Sequence, residues 1–334
     1  MKILLLGLST QATGNATTLA RIAKHLQKAG HELVFHAIED LEESAITKIS
    51  DEECCDTALG VHAYGAGRFL RHLKIPTVIV FGGTDLNELV SEQSKMNVMT
   101  QAVEKAYALV CFNEDFLDRA GNLWPHLRPK LHCIPQSVEV SPSQFSKASI
   151  ATIPKDAIIY LLPAGLRGVK DPLFLGSIIA QWHMRDPRIH LLIVGAKRDP
   201  AYAKSMLTKA QEFPGVLLID TLPQADLWAL MREAQAVLNT SKSESSPNSL
   251  LEAMALGAPV LARDIPGNRA VIQHRKTGLL FDSPDDFLTN AMMLLEDGNL
   301  RNTLIQNAKN IIDEEFAPAR EASAYQALFK SMSQ

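Results

Sequence analysis

The sequence predicts an α/β protein built from two doubly wound, Rossmann-like domains with parallel sheets. Three observations point there. Ten short apolar runs alternate with helical patterns along 334 residues. The runs are continuous rather than alternating in polarity, which marks strands covered on both faces. A stretch rich in Ser and Pro divides the chain near its middle, and a chain of this length exceeds what one compact core usually serves.

The elements follow in order. Apolar runs at residues 3–6, 33–37, 58–61, 77–81 and 109–112 give five strands to the first half. Runs at 158–162, 190–194, 216–219, 236–238 and 259–262 give five to the second. The helical patterns between them supply the crossovers. The first run, behind Met1 and Lys2, is too short for a secretory leader and has no small-residue cleavage site after it. It reads as a buried strand. Residues 135–154 carry five Ser and three Pro without periodicity and read as interdomain sequence. The expected organisation is an N-terminal domain over 1–140, a linker over 141–155, a C-terminal domain over 156–315 and a final helix over 316–334. Ligands of such sheets bind at the carboxyl ends of the strands, so the expected site is a cleft faced by both domains.

Composition excludes several function classes. Apolar residues make up 46%, charged residues 21%, and the formal net charge is -4. Nothing marks a nucleic-acid partner. No stretch approaches the ~18 apolar residues of a membrane span. Cys54, Cys55, Cys111 and Cys133 have no metal-ligand spacing and read as reduced thiols of a cytoplasmic protein. No Asp-x-Asp pair lies at a strand end, so no metal cofactor is expected.

One signal recurs in the second half. Asp171-Pro172, Asp199-Pro200 and Ser246-Pro247 each follow a strand and place a capping residue before a Pro, the expected start of a helix. Helix starts attract phosphate through unpaired amides and the dipole; they are equally the ordinary way a strand-to-helix loop is built. Around the first lie Gly165, Arg167, Gly168 and Lys170. A planar fork, a point cation and a close-approaching backbone suit a diphosphate; two solvated surface charges are the simpler alternative. Around the third, Glu244 precedes the helix and Glu252 lies in its second turn, sharing a face with Asn248 and Ser249. Carboxylates there suit sugar and ribose hydroxyls rather than phosphate. Gly257 ends the helix.

Glu244 and Glu252 enclose seven residues. With Gly257-Ala258-Pro259-Val260 and Thr277-Gly278-Leu279-Leu280-Phe281 after them, this resembles the retaining glycosyltransferases of family four, which have the GT-B fold. The resemblance covers nearly the whole chain. Thr13-Gly14-Asn15-Ala16, Gly82-Gly83-Thr84-Asp85-Leu86, Lys170-Asp171-Pro172 and Ile265-Pro266-Gly267-Asn268 support it. A more distant resemblance to selenosugar synthases rests on Gly-Thr-Asp-Leu and Lys-Asp-Pro.

The resemblance implies roles. Lys170 would bind the donor diphosphate. Arg167 would assist, although the family's usual Arg position is Gly165 here. Glu252 would bind the ribose and Glu244 the transferred hexose. Amides of Asn248, Ser249 and Leu250 would bind phosphate or sugar, and Leu222, after Thr221, would border the nucleobase. His62 matches a histidine that approaches the reacting sugar. Gly14 and Asn15 match a loop that closes over donor and acceptor, and Asp85 would line the acceptor side. The final helix would return to the first domain. The implied activity is metal-independent, retaining transfer of a hexose or N-acetylhexosamine from a nucleotide sugar, UDP by family frequency, to an acceptor the sequence does not name. Two alternatives stand beside it: a binding or scaffold protein on the same fold, and an enzyme conjugating sugar to phosphate or selenophosphate.

Overall fold

The computed structural model describes residues 1–9, 14–197 and 199–332. The chain divides into two compact units: Met1–Ser137 with Pro318–Gln334, and Val138–Ala317.

The first unit holds β1 (Lys2–Gly7), β2 (Glu32–Ala37), β3 (Thr57–Val61), β4 (Thr77–Val80), β5 (Ala108–Cys111) and β6 (Leu131–Cys133). They form one sheet of order β2-β1-β3-β4-β5-β6, parallel throughout. Alternate residues of one strand feed different cores. Leu4 and Leu6 of β1 join Phe69, Ile79 and Phe81 on one face. Ile3 and Leu5 join Leu19, Ile22, Val61 and Phe329 on the other. Two buried faces explain why the run is continuous. The helix Gly14–Lys28 presents Leu19, Ile22 and Leu26 to the second of these faces, at the three-to-four spacing of a helix stripe.

The C-terminal helix Pro318–Ser331 packs in this unit beside Gly14–Lys28, burying Tyr325, Leu328 and Phe329. Glu321 is buried with it. Its carboxylate accepts from Arg21 Nε at 2.8 Å, His25 Nε2 at 3.1 Å and the Ser137 amide at 2.9 Å. A buried carboxylate survives only with such partners.

The second unit holds β7 (Ile158–Pro163), β8 (Ile189–Val194), β9 (Val216–Ile219), β10 (Ala236–Asn239), β11 (Val260–Arg263) and β12 (Leu279–Phe281). Their order is β12-β11-β10-β7-β8-β9, again all parallel. Tyr160 and Leu162 face one core while Ile159 and Leu161 face the other. Residues 141–155, expected as a linker, fall within this unit and are tied to it. Ser143 Oγ donates to Asp226 at 2.6 Å, and Ser146 Oγ and the Lys147 amide donate to Glu233. The Ser143 and Ser146 hydroxyls of this Ser-rich stretch serve as local hydrogen-bond donors.

Each sheet reverses its direction of growth beside its first strand, between β1 and β3 and between β7 and β10. Loops leaving the carboxyl ends there diverge and open a crevice. Most of the candidate residues follow these strands, while Asp85 follows β4 and Leu222 follows β9. Among the described residues no helix is long and apolar enough to cross a membrane.

Candidate functional site

In the second unit the loop after β7 lies low over the sheet. Gly195 makes room for it: a Cβ there would stand 2.2 Å from the Ala164 carbonyl oxygen. The chain then makes a short turn, Gly168–Lys170, closed by Asp171 at φ 44°. A helix was expected to start at Asp171-Pro172, but the next helix is Gly176–Arg185. The Asp171 carboxylate is not a cap. It accepts from Arg263 Nη1 at 3.1 Å and lies 3.7 Å from Lys242 Nζ, and the Arg263 guanidinium stacks 4.3 Å over the Phe174 ring. A left-handed non-glycine residue costs on the order of 1 kcal/mol and persists where surroundings fix it; here Arg263 supplies the fixing contact.

The loop after β10 comes up against this turn. Thr240 Oγ1 donates to the Lys170 carbonyl at 2.9 Å and the Lys242 amide to the Val169 carbonyl at 2.8 Å. Glu244 sits beneath, its side chain 12% exposed. Its Oε1 accepts from Lys170 Nζ at 2.5 Å, Ser241 Oγ at 2.7 Å and Asn239 Nδ2 at 3.1 Å. Among the described residues no hydrogen bond reaches Oε2. Burial pushes the Glu244 carboxyl up, but the Lys170 cation, with Ser241 and Asn239, outweighs it and holds the group below its ordinary value. Asn239, at the end of β10, and Ser241 just after it were given no role by the sequence reading, yet both hold Oε1 in place.

Behind Glu244 lies the turn Pro266–Arg269. Gly267 touches it so closely that a Cβ would stand 2.2 Å from the Glu244 carbonyl oxygen. Asn268, fully buried, donates to the Arg263 carbonyl at 2.9 Å. One face of Glu244 is thus set by backbone contact and one oxygen by three donors.

The helix Asn248–Leu256 follows, with Pro247 at the cap position and no side-chain cap. Ser246 was expected to cap with Pro247 inside the first turn; the helix begins one residue later. Leu250 was expected to offer its amide to a ligand, but that N–H donates to the Pro247 carbonyl at 2.9 Å, and the side chain is fully buried. Asn248 and Ser249 remain as the leading residues of the helix, where amides have no partner in the preceding turn. Glu252 is half-buried and accepts from Gln224 Nε2 at 3.1 Å. That bond brings the segment after β9, with exposed Thr221 and half-buried Leu222, against the helix. Leu222 packs on the core beside Leu227 and Trp228. Gly257 ends the helix at φ 73°. Asp199 alone of the three expected caps forms: its Oδ1 accepts from the Ala201 and Tyr202 amides, each at 3.0 Å. Arg167 is exposed beside the Gly168–Lys170 turn, with no ion-pair partner among the described residues.

In the first unit three loops meet at the sheet's reversal. His62 leaves β3 at φ 86°. Its Nδ1 accepts from the Gly65 amide at 2.9 Å and its Nε2 lies 2.8 Å from Thr84 Oγ1. Asp85 was expected to line an acceptor surface; it is fully buried instead. Its carboxylate takes four backbone amides, those of Ala63, Gly82, Gly83 and Leu86, at 2.7–3.1 Å. It joins the β3 and β4 loops. Asn15 packs against Gly82, where a Cβ would meet its side chain at 2.7 Å. Gly14 opens the first helix and is exposed; Thr13 lies outside the described residues.

Two parallel sheets of six strands, with basic and acidic groups converging where the second reverses, define a doubly wound α/β class of protein. Residues 144–311 match the family described as Glycosyl transferases group 1. The chain is 38% identical over 99% of its length, and 98% of the relative's, to glycosyltransferase 1 domain-containing protein 1 of Xenopus tropicalis. The crystal structure of HepE from Anabaena in complex with UDP superposes with a TM-score of 0.80 at 18% identity, covering 99% of this chain and 100% of that one. Sucrose-phosphate synthase from Thermosynechococcus elongatus superposes with a TM-score of 0.79 at 14% identity, covering 99% and 98%. The chain belongs to the group 1 glycosyl transferases and has the GT-B fold.

Proposed function

We propose that this protein transfers a hexose or N-acetylhexosamine from a UDP-sugar to an acceptor hydroxyl, with retention at the anomeric carbon, without a metal ion, and in the cytoplasm. The observation that carries the reading is Lys170 closed onto Oε1 of a largely buried Glu244 whose Oε2 is left over. Lys170 has further protons to give a diphosphate, and Glu244 Oε2 can accept from a sugar hydroxyl. HepE is described in complex with UDP-glucose, which supports UDP as the nucleotide.

The other roles follow. Asn248 and Ser249 amides and Arg167 meet the diphosphate, Glu252 the ribose hydroxyls, and Leu222 the edge of the base. In the first unit His62 serves the sugar, Gly14 and Asn15 belong to a loop that closes on substrate, and Asp85 positions rather than binds. In the chemical step the anomeric carbon–oxygen bond to the diphosphate breaks while the acceptor oxygen bonds on the same face. The acceptor's proton passes to the departing phosphate oxygen. Lys170 and the amides stabilise the charge that develops there.

A thermal-shift series with UDP, GDP, ADP and CMP and their common sugars, on wild type and Glu252→Ala, tests this. A nucleotide at 100 times its dissociation constant adds roughly 2.7 kcal/mol. UDP should stabilise wild type, and Glu252→Ala should weaken it by about 1–3 kcal/mol. If no nucleotide stabilises the protein at millimolar concentration, it is a scaffold on this fold. Turnover then separates glycan acceptors from phosphate or selenophosphate, and product stereochemistry tests retention.

A further inference from the structure

The His62 imidazole is occupied on both sides. A backbone amide can only donate, so the Gly65 N–H at 2.9 Å requires Nδ1 to be an unprotonated acceptor. The ring proton of the neutral imidazole therefore sits on Nε2 and points at Thr84 Oγ1, 2.8 Å away. Thr84 Oγ1 accepts that bond and keeps its own hydrogen to give. Thr84 is half-buried, and among the described residues nothing receives that hydrogen.

The frame around this pair is rigid. His62 sits at φ 86°, an uncommon conformation for a residue other than glycine. Asp85 provides the hold. Its Oδ2 accepts from Ala63, the residue after His62, at 2.8 Å and from Gly82 at 2.9 Å. Its Oδ1 accepts from Gly83 at 2.7 Å and Leu86 at 3.1 Å. Gly83, at φ 118°, turns the chain so that Thr84 meets the ring.

We propose that Thr84 is the substrate-binding residue of this loop and His62 its positioning residue: a directed relay runs from the Gly65 N–H through the imidazole to the Thr84 hydroxyl, which donates its hydrogen to an oxygen of the sugar substrate. This rests on the glycosyl-transfer reading and sharpens it, since the imidazole then acts on the sugar through Thr84. Each donor in the chain polarises the next, so the hydroxyl is a better donor than a free one.

The test compares Thr84→Val, Thr84→Ser, His62→Asn and the double variant Thr84→Val/His62→Asn. Asn tolerates the left-handed backbone, so His62→Asn can fold. Thr84→Val should lower kcat/KM for transfer roughly 10- to 100-fold with UDP affinity unchanged, and Thr84→Ser should restore most of it. If His62 works through Thr84, the double variant loses no more than Thr84→Val alone. Multiplicative losses, or a fully active Thr84→Val beside a crippled His62→Asn, would show the imidazole touching substrate itself and overturn the relay. Nitrogen NMR of the imidazole reads the relay apart from activity. The Nε2–H tautomer is expected in wild type, and a dominant Nδ1–H tautomer would overturn it even if the protein transfers no sugar. An inactive wild type with the Nε2–H tautomer would sink the transferase reading and, with it, the sugar as ligand, while leaving the hydrogen-bond geometry standing.

Discussion

Lys170 Nζ lies 2.5 Å from Glu244 Oε1, a contact between residues 74 apart that closes the β7 and β10 loops on each other. Neither side chain is fully buried, at 21% and 12% exposed, yet the pair is dry enough that its two members depend on one another. The position of the Lys170 cation is thus tied to the Glu244 carboxylate, the two groups proposed above to meet the diphosphate and the sugar.

Glu244→Gln keeps the shape and removes the charge. Lys170 then loses its counter-ion, and Ser241 and Asn239 donate to a weaker acceptor. Breaking a fully buried pair costs about 3–5 kcal/mol; partial exposure of Lys170 should bring this to about 1–3 kcal/mol. Transfer should fall on the order of 10²-fold or more, because charged hydrogen bonds to the reacting sugar are lost as well. Melting curves and initial rates check both. Wild-type values in each would remove the pair from the site.

Acid should weaken the first unit through Glu321. Burial raises this carboxyl, but His25, Arg21 and Ser137 outweigh burial and bring it from 4.5 to about 2. A depressed carboxylate stabilises the fold above its unfolded value, and the contribution is lost as pH falls through the folded one. The loss should run from about pH 4.5 toward pH 2 and amount to about 3 kcal/mol. Glu321→Gln should be less stable at pH 7 and should not lose this increment on acidification. Glu244, depressed in the same sense, leaves the second unit acid-sensitive in that variant. Melting temperature against pH for both proteins decides it; parallel curves would sink the assignment.

The strands were legible because the sheets bury both faces: Ile3 and Leu5 go one way, Leu4 and Leu6 the other. β6 and β12, each a three-residue strand at a sheet edge, escaped notice. The caps divide instructively. Asp199-Pro200 and Asp171-Pro172 look alike locally, and only the first caps a helix. What separates them is Arg263, 92 residues beyond Asp171, which takes the carboxylate. Asp85 misled for the same reason: the resemblance put it on the acceptor side, but Ala63, 22 residues earlier, donates to its carboxylate. Motif spacing identified Lys170 and Glu244 but could not show that they touch.

Asp199→Ala should cost about 1 kcal/mol, the usual effect of an N-cap loss, because two amides lose their acceptor. This cap lies in the loop after β8, away from the β7–β10 reversal, so UDP affinity should stay within about twofold of wild type. Urea melts and nucleotide titration read the two quantities separately. A large affinity loss would bring the β8 loop into the nucleotide site.

Gly267→Ala tests whether the backbone behind Glu244 matters as much as its ion pair. The added Cβ would stand 2.2 Å from the Glu244 carbonyl oxygen, 2.7 Å from its carbonyl carbon and 2.9 Å from its Cβ. None of these atoms can rotate away, so the strain of about 1–3 kcal/mol expected from overpacking must move one loop or the other. Moving the Glu244 loop takes Oε1 off Lys170, Ser241 and Asn239 together, so activity should fall further than the stability loss alone explains. Gly298→Ala, where a Cβ meets nothing within 4 Å, is the matched control and should stay within about 0.5 kcal/mol of wild type. Assayed below their melting transitions, the two variants should differ at least about tenfold in turnover per folded molecule. Equal turnover would mean that the Glu244 loop absorbs a displacement without consequence, and that its position is fixed by its side-chain donors rather than by the backbone behind it.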